Sequence, residues 1–224
     1  MHRLTYPADR DQGEQLMQDP SPQWLKWART IQAISQIGLT YKKNHYDEEN
    51  FTQLMDIAAD MIAFHTQQFK SDMKQNFLAQ PGYATVKVDV RGAVVRDGKI
   101  LLVKEIVDGK WTMPGGWADV GESPAESVTR EVLEESGFRV KPTKILAVVD
   151  ANRKGRPLEF YHAFKIIFLC EILGGKATPS DETSEVGFFS FADLPELSTN
   201  RTSLEHVAEI RAHLADPNRP AAFD

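Results

Sequence analysis

Cysteine is almost missing from this chain of 224 residues, with Cys170 alone, so no intrachain disulfide can form and a disulfide-stapled secreted scaffold is excluded. It lies in the apolar run Ile166-Ile167-Phe168-Leu169-Cys170, which predicts a buried, inert thiol. Long apolar stretches are missing too. No run reaches transmembrane length, and the first residues lack the apolar centre of a signal peptide, so a cytoplasmic location with no membrane partner is expected. Positive charge is in deficit, 26 Lys and Arg against 32 Asp and Glu, a net charge of −6. That sign argues against capture of duplex nucleic acid. What the chain does have is 42% apolar residues, enough for one large domain or one domain with a small appendage.

Its carboxylates are unevenly spread. Gly116-Trp117-Ala118-Asp119-Val120-Gly121-Glu122 is followed, after seven residues, by Arg130-Glu131-Val132-Leu133-Glu134-Glu135-Ser136-Gly137-Phe138. On a helix, Glu131, Glu134 and Glu135 project from one face, where like charges repel one another. Three carboxylates crowded beside one arginine are a poor structural choice and a good site for a hard divalent metal. Boundary signals frame the segment. Ser123-Pro124-Ala125-Glu126 reads as a capping box that starts the helix at about residue 124, and Gly137 can take the left-handed conformation that ends it. Ala125, Val128 and Val132 form an apolar stripe to seat the helix on a core. Arg130 lies four residues from both Glu126 and Glu134, close enough to orient them. Just upstream, the pair Gly115-Gly116 lets backbone approach a ligand closely.

These residues resemble the Nudix box of the Nudix hydrolases, G-x5-E-x7-R-E-U-x-E-E-x-G-U with U a bulky apolar residue, and every fixed position is matched. The resemblance covers about residues 84 to 195. It implies an α/β/α sandwich with a mixed sheet, the box forming loop, helix and loop at one edge. It also implies Mg²⁺-dependent hydrolysis, with Mn²⁺ as a substitute, of a diphosphate joining a nucleoside to a second moiety X. By the same resemblance the Gly115 carbonyl and the carboxylates of Glu131, Glu134 and Glu135 are metal ligands, and Glu122 supports the loop or a further metal. The base is Glu134 or Glu135, or a distal-loop carboxylate, Glu182 or Glu185, with Arg130 completing the catalytic group. Arg91, Trp117, Asp150, Arg153 and Glu182 are candidate substrate contacts. Trp111 and Phe160 are further candidates for stacking, although packing explains them equally well. A nucleotide sensor that kept the fold and lost the reaction would be missing box carboxylates, and all are present.

Upstream of the box, residues 1–20 are polar and read as a loose leader. Trp24, Trp27, Ala28, Ile31, Ile34 and Ile37 recur at helical spacing up to a stop at Gly38. Phe51, Leu54, Met55, Ala58, Met61, Ile62 and His65 mark a second helix from about Asp47, giving a helical hairpin over 21–75. So small a unit needs another surface, either the catalytic domain or a second copy of the chain; a homodimer through these helices is favoured, with His65 an interface or core residue and both tryptophans packing anchors. The hairpin, including Ala33-Ile34-Ser35-Gln36-Ile37-Gly38-Leu39, resembles the extension of bacterial Nudix hydrolases acting on CDP-choline or ADP-ribose, and of these CDP-choline leads. Residues 66–83 read as a helix tail and linker, and 84–224 as the catalytic domain. There the spacing predicts a strand over 86–90, a hairpin turning at Asp97-Gly98, strands near 144–149, 160–173 and 187–191, and a helix over 203–214.

Overall fold

The computed structural model describes residues 22–66, 69–79, 82–151 and 162–224. The leader expected at 1–20, and with it Arg153 and Phe160, lies outside the described residues.

Three helices come first, α1 (Gln23–Thr40), α2 (His45–Thr66) and α3 (Lys70–Leu78). Ala28, Met55, Ala58, Ala59, Ile62, Met73 and Phe77 share one small core among them. Three sequence expectations change here. Gly38 does not end α1, which runs on to Thr40; a Cβ at Gly38 would lie 2.4 Å from the Phe51 ring, so the glycine is there to let α1 and α2 close on each other. The stretch expected as linker instead holds α3, whose Met73 and Phe77 fill the open side of the hairpin. Trp27 and Ile34 also depart from the expected stripe: Leu25, Ala28, Ser35 and Gln36 are the buried side of α1, while Trp27 is 57% exposed.

Beyond residue 86 come β1 (Lys87–Arg96), β2 (Lys99–Glu105), β3 (Trp111–Thr112), α4 (Pro124–Ser136), β4 (Phe138–Asp150), β5 (Ala163–Gly175), β6 (Thr183–Ser190), α5 (Leu204–Ala215) and β7 (Ala222–Phe223). They build a mixed seven-stranded sheet in the order β3-β2-β1-β5-β4-β7, with β6 also paired to β2. β1 runs parallel to β5 and antiparallel to β2. The β1–β2 hairpin turns through Asp97 and Gly98, both at positive φ (51° and 71°), the type I′ geometry that suits strand twist.

Strand alternation sends successive side chains to opposite layers. Ile100 and Leu102 join Leu146, Ile167, Val207 and Ile210 under α5. Leu101 instead joins Val90, Val94, Phe168 and Cys170 under Val128 and Val132 of α4. The result is an α/β/α sandwich. Burial pushes the Cys170 thiol up to about 12, in keeping with an inert core residue. Among the described residues no helix is long and apolar enough to cross a membrane.

Candidate active site

Helix α4 begins as its sequence signals: Ser123 Oγ accepts from Glu126 N–H, and Glu126 reaches back to Ser123 N–H at 2.8 Å. Gly137 closes it at φ 76°. Because Glu126 is held in the cap, it is not a partner of Arg130, contrary to expectation. Ala125 lies exposed, so Val128 and Val132 alone carry the apolar contact with the sheet.

The bend at Gly115 and Gly116 pairs with β1, where Val90 N–H donates to Gly116 O and Gly92 N–H to Pro114 O. Gly115 sits at φ 142°, and a Cβ there would overlap the Val90 carbonyl at 2.0 Å, so no side chain is tolerated at that point. Glu135, one turn after Glu131, is 6% exposed and accepts the Gly115 N–H at 2.8 Å. Glu131 rests against Gly116, whose Cβ, if present, would meet the carboxylate at 2.9 Å. Helix and bend are thus fitted to each other through carboxylates and bare backbone.

Burial pushes the Glu135 carboxyl up to about 7; Glu105 and Glu131 add to the rise, while Arg91 and the Gly115 N–H oppose it. Glu131 is raised for the same first reason, against the pull of Arg130. Desolvation makes ionisation of both neighbouring carboxyls costly, a cost that a bound hard cation would offset. The third helical carboxylate, Glu134, has a 58% exposed side chain at the rim and pairs with Arg130 at 3.1 Å. Arg130 also holds Glu122 at 3.0 Å and Glu131 at 2.9 Å, and its remaining nitrogen lies 3.2 Å from Asp119 without hydrogen-bond geometry. Among the described residues no group of three acidic, His or Cys side chains is already gathered for a metal. Arg130 occupies Glu131 and Glu134, and a divalent ion would compete with it for both. Glu122 touches this network through Arg130.

These groups line a cleft of about 630 Å³ with Asp89, Arg91, Glu105, Trp117, Lys165, Glu182 and Arg201. Of the substrate candidates, Trp117 stands half-exposed at its edge and Glu182 faces it from the turn before β6. Arg91 is present but committed: Nε and Nη2 donate to Asp89 at 2.9 and 2.8 Å, and Nη1 to Met113 O, so it is a buried ion pair in the floor. Asp150 does not line the cleft; its carboxylate lies 3.3 Å from His162 Nε2. Glu185 does not line it either. In register it sits opposite Lys104, and the two form a cross-strand ion pair at 2.7 Å on the outer surface. Trp111 packs edge-to-face on Phe189 and is a core residue.

Sequence reading missed Glu105, Lys165 and Arg201. A register shift separates Lys104, paired with Glu185, from Glu105, paired with Thr183; Glu105, on the face opposite Lys104, lines the cleft, where Arg201 meets it at 3.2 Å. Burial raises the Glu105 carboxyl, and Arg201 and Arg91 oppose the rise. Lys165 is 1% exposed and donates to the carbonyls of Asn200 and Arg201 at 3.0 and 2.7 Å, fixing the loop that carries Arg201. A lone lysine inside the apolar run of β5 was its available signal.

The arrangement is a mixed-sheet α/β/α sandwich with a carboxylate-lined cleft over a glycine bend. The chain belongs to the Nudix family and is a Nudix pyrophosphohydrolase: the NUDIX domain model matches residues 86–209, and the model for a UDP-X-like, N-terminal oligomerisation domain matches 22–77. It is 37% identical over 201 residues to a putative ADP-ribose pyrophosphatase of Bacillus subtilis, covering 90% of this chain and 97% of that one. It is similar to the crystal structure of a UDP-X diphosphatase, with a TM-score of 0.59 and 30% identity over 90% of this chain and 98% of that one. A crystal structure of an ADP-ribose pyrophosphatase from Streptococcus suis matches at a TM-score of 0.58 and 38% identity, covering 62% of this chain and all of that one.

Proposed function

We propose that this protein hydrolyses the diphosphate of a nucleoside diphosphate linked to a second moiety X, releasing a nucleoside monophosphate and a phosphorylated X. The observation that carries this is the pair Glu131 and Glu135, one turn apart and seated against Gly116 and Gly115, both held short of easy ionisation. Glu131, Glu135, Glu134 and the Gly115 carbonyl are the residues to hold Mg²⁺, with Mn²⁺ as substitute. When bound, the ion neutralises diphosphate oxygens and lowers the barrier to attack by water. Arg130 orients Glu131 and Glu134. Glu182, with no cation at ion-pair distance among the described residues, accepts the proton of the attacking water from the side opposite α4.

ADP-ribose is the first substrate to test and a UDP-linked sugar the second, following the relatives quoted above. CDP-choline, favoured on the N-terminal residues, now ranks behind both. The working form is a cytoplasmic homodimer. Trp27 and Ile34 stand exposed at seven-residue spacing along α1, with Tyr41 exposed just past its end, and Ile57 and Phe64 repeat that spacing on α2, an apolar surface suited to a second copy. Turnover of a nucleotide panel with Mg²⁺ and with chelator, beside Glu135→Gln, tests the reaction. Hydrolysis in ¹⁸O water identifies the attacked phosphorus. A wild type that binds nucleotides tightly yet turns none over would refute the catalytic reading in favour of a sensor.

A further inference from the structure

A second cavity, of about 370 Å³, opens between the helical unit and the first strand of the catalytic sheet, and none of the candidate catalytic, metal-binding or substrate-binding residues lines it. Its position is informative. Lys87 pairs with Ala163, and Asp89 with Lys165. Lys87 and His162 border this cavity, while Ala163, Asp89 and Lys165 border the catalytic cleft. Residues two apart on a strand share a face and stand roughly 7 Å apart, so the cavity prolongs the cleft along the β1–β5 row.

Its chemistry differs from that of the cleft. Gln32 and Gln36 of α1 and Asn76 of α3 put side-chain amides on the wall, and Tyr83, 70% exposed, stands at the edge. Gln36 is buried and fixed, its Nε2 donating to Gly82 O at 3.3 Å and its Oε1 accepting from Gln32 Nε2 at 2.7 Å. That chain orients Gln32 and leaves its Oε1, and one N–H of each amide, for a guest. Donors and acceptors side by side read the edge of a heterocyclic base, and an exposed ring beside them offers a stacking surface.

We propose that this cavity binds the nucleoside of the substrate, the base stacked on Tyr83 and read by Gln32 and Gln36, while the diphosphate lies in the cleft. This rests on the reading that the substrate is a nucleoside diphosphate linked to X, and it gives the helical unit a direct part in selectivity. Arg29, Gln32 and Gln36 share one face of α1, half a turn from exposed Trp27 and Ile34. Pairing of two copies through the latter leaves the cavity open.

The test uses the full chain with Gln32→Ala and Tyr83→Ala, both checked for an unchanged melting temperature, with Gln32→Leu as a second variant should Gln32→Ala fold poorly. KM and kcat are measured on one set of substrates varying the base at fixed X and on another varying X at fixed base. Each variant is expected to raise KM about tenfold with a smaller change in kcat, and Gln32→Ala to flatten preference among bases. Unchanged KM values, or flattened preference among X groups alone, overturn the proposal and leave the hydrolase reading intact. Binding of nucleoside monophosphates to chelator-treated protein decides the matter if no substrate turns over. Affinity present in the wild type and lost in both variants supports the cavity assignment; equal affinity in all three overturns it.

Discussion

Magnesium binding should expel a proton, and Glu135 sets how many. Its carboxyl, pushed up to about 7 by burial, lies above the ordinary value of 4.5. The metal-free fold therefore holds more protons than the unfolded chain between those two values, and its stability falls as pH rises across that window. The fall amounts to on the order of 3 kcal/mol for this one group. A bound cation requires the ionised form. At pH 6.5 roughly three quarters of Glu135 is protonated, so about 0.8 proton should leave per ion; at pH 8.5 almost none remains to leave. Glu131, raised for the same reason, adds to the release. Calorimetric titration of chelator-stripped protein with MgCl₂ in two buffers of different ionisation enthalpy measures the number directly. Glu135→Gln should lower the release at pH 6.5 by about 0.8 proton and flatten the decline in melting temperature between pH 5 and 7.5. Equal proton release from wild type and variant would refute the reasoning.

Two carboxylates on the same segment should behave oppositely: Glu182→Gln should lower kcat about 100-fold, whereas Glu185→Gln, on the outer surface with Lys104, should stay within about twofold of wild type in a steady-state assay. The reverse order would exclude Glu182 as the base. The double variant Trp27→Glu, Ile34→Glu should give monomers by light scattering with its helical circular dichroism retained, since both side chains are exposed; a surviving dimer points to another interface. Lys165→Met should leave the Asn200 and Arg201 carbonyls without their donor and cost about 2 kcal/mol in urea denaturation, and a loss below about 0.5 kcal/mol would mean the loop holds itself.

Elements with local signals were legible in the sequence. The capping box at Ser123, the left-handed Gly137 and the Asp97-Gly98 turn are each written in a few consecutive residues, and each is found as written. The helical unit was less legible, because a glycine in a helical pattern has two uses. Gly38 looked like a stop and is a contact with Phe51, thirteen residues away in sequence, which no local window reveals. α3 was hidden for a similar reason: its apolar content is little more than Met73 and Phe77, so its burial comes from a hairpin whose open side has to be known first.

The site divides along the same line. Glu131, Glu134 and Glu135 are readable because one helix carries all three, and its 3.6-residue period fixes their common face. The opposite wall of the cleft comes from strands, where pairing register decides which side chain turns inward. Glu182 and Glu185 lie three residues apart and look interchangeable in sequence. Cross-strand pairing with Lys104 takes Glu185 out of the cleft, and alternation along β2 turns Glu105 in. Glu105 and Lys104 are neighbours in the chain yet end on opposite sides of the chemistry, one against Arg201 and the other on the outer surface. The register of β6 on β2 thus places Glu185 beside Lys104 on the outer surface, and alternation along β2 turns the next residue, Glu105, toward Arg201 in the cleft.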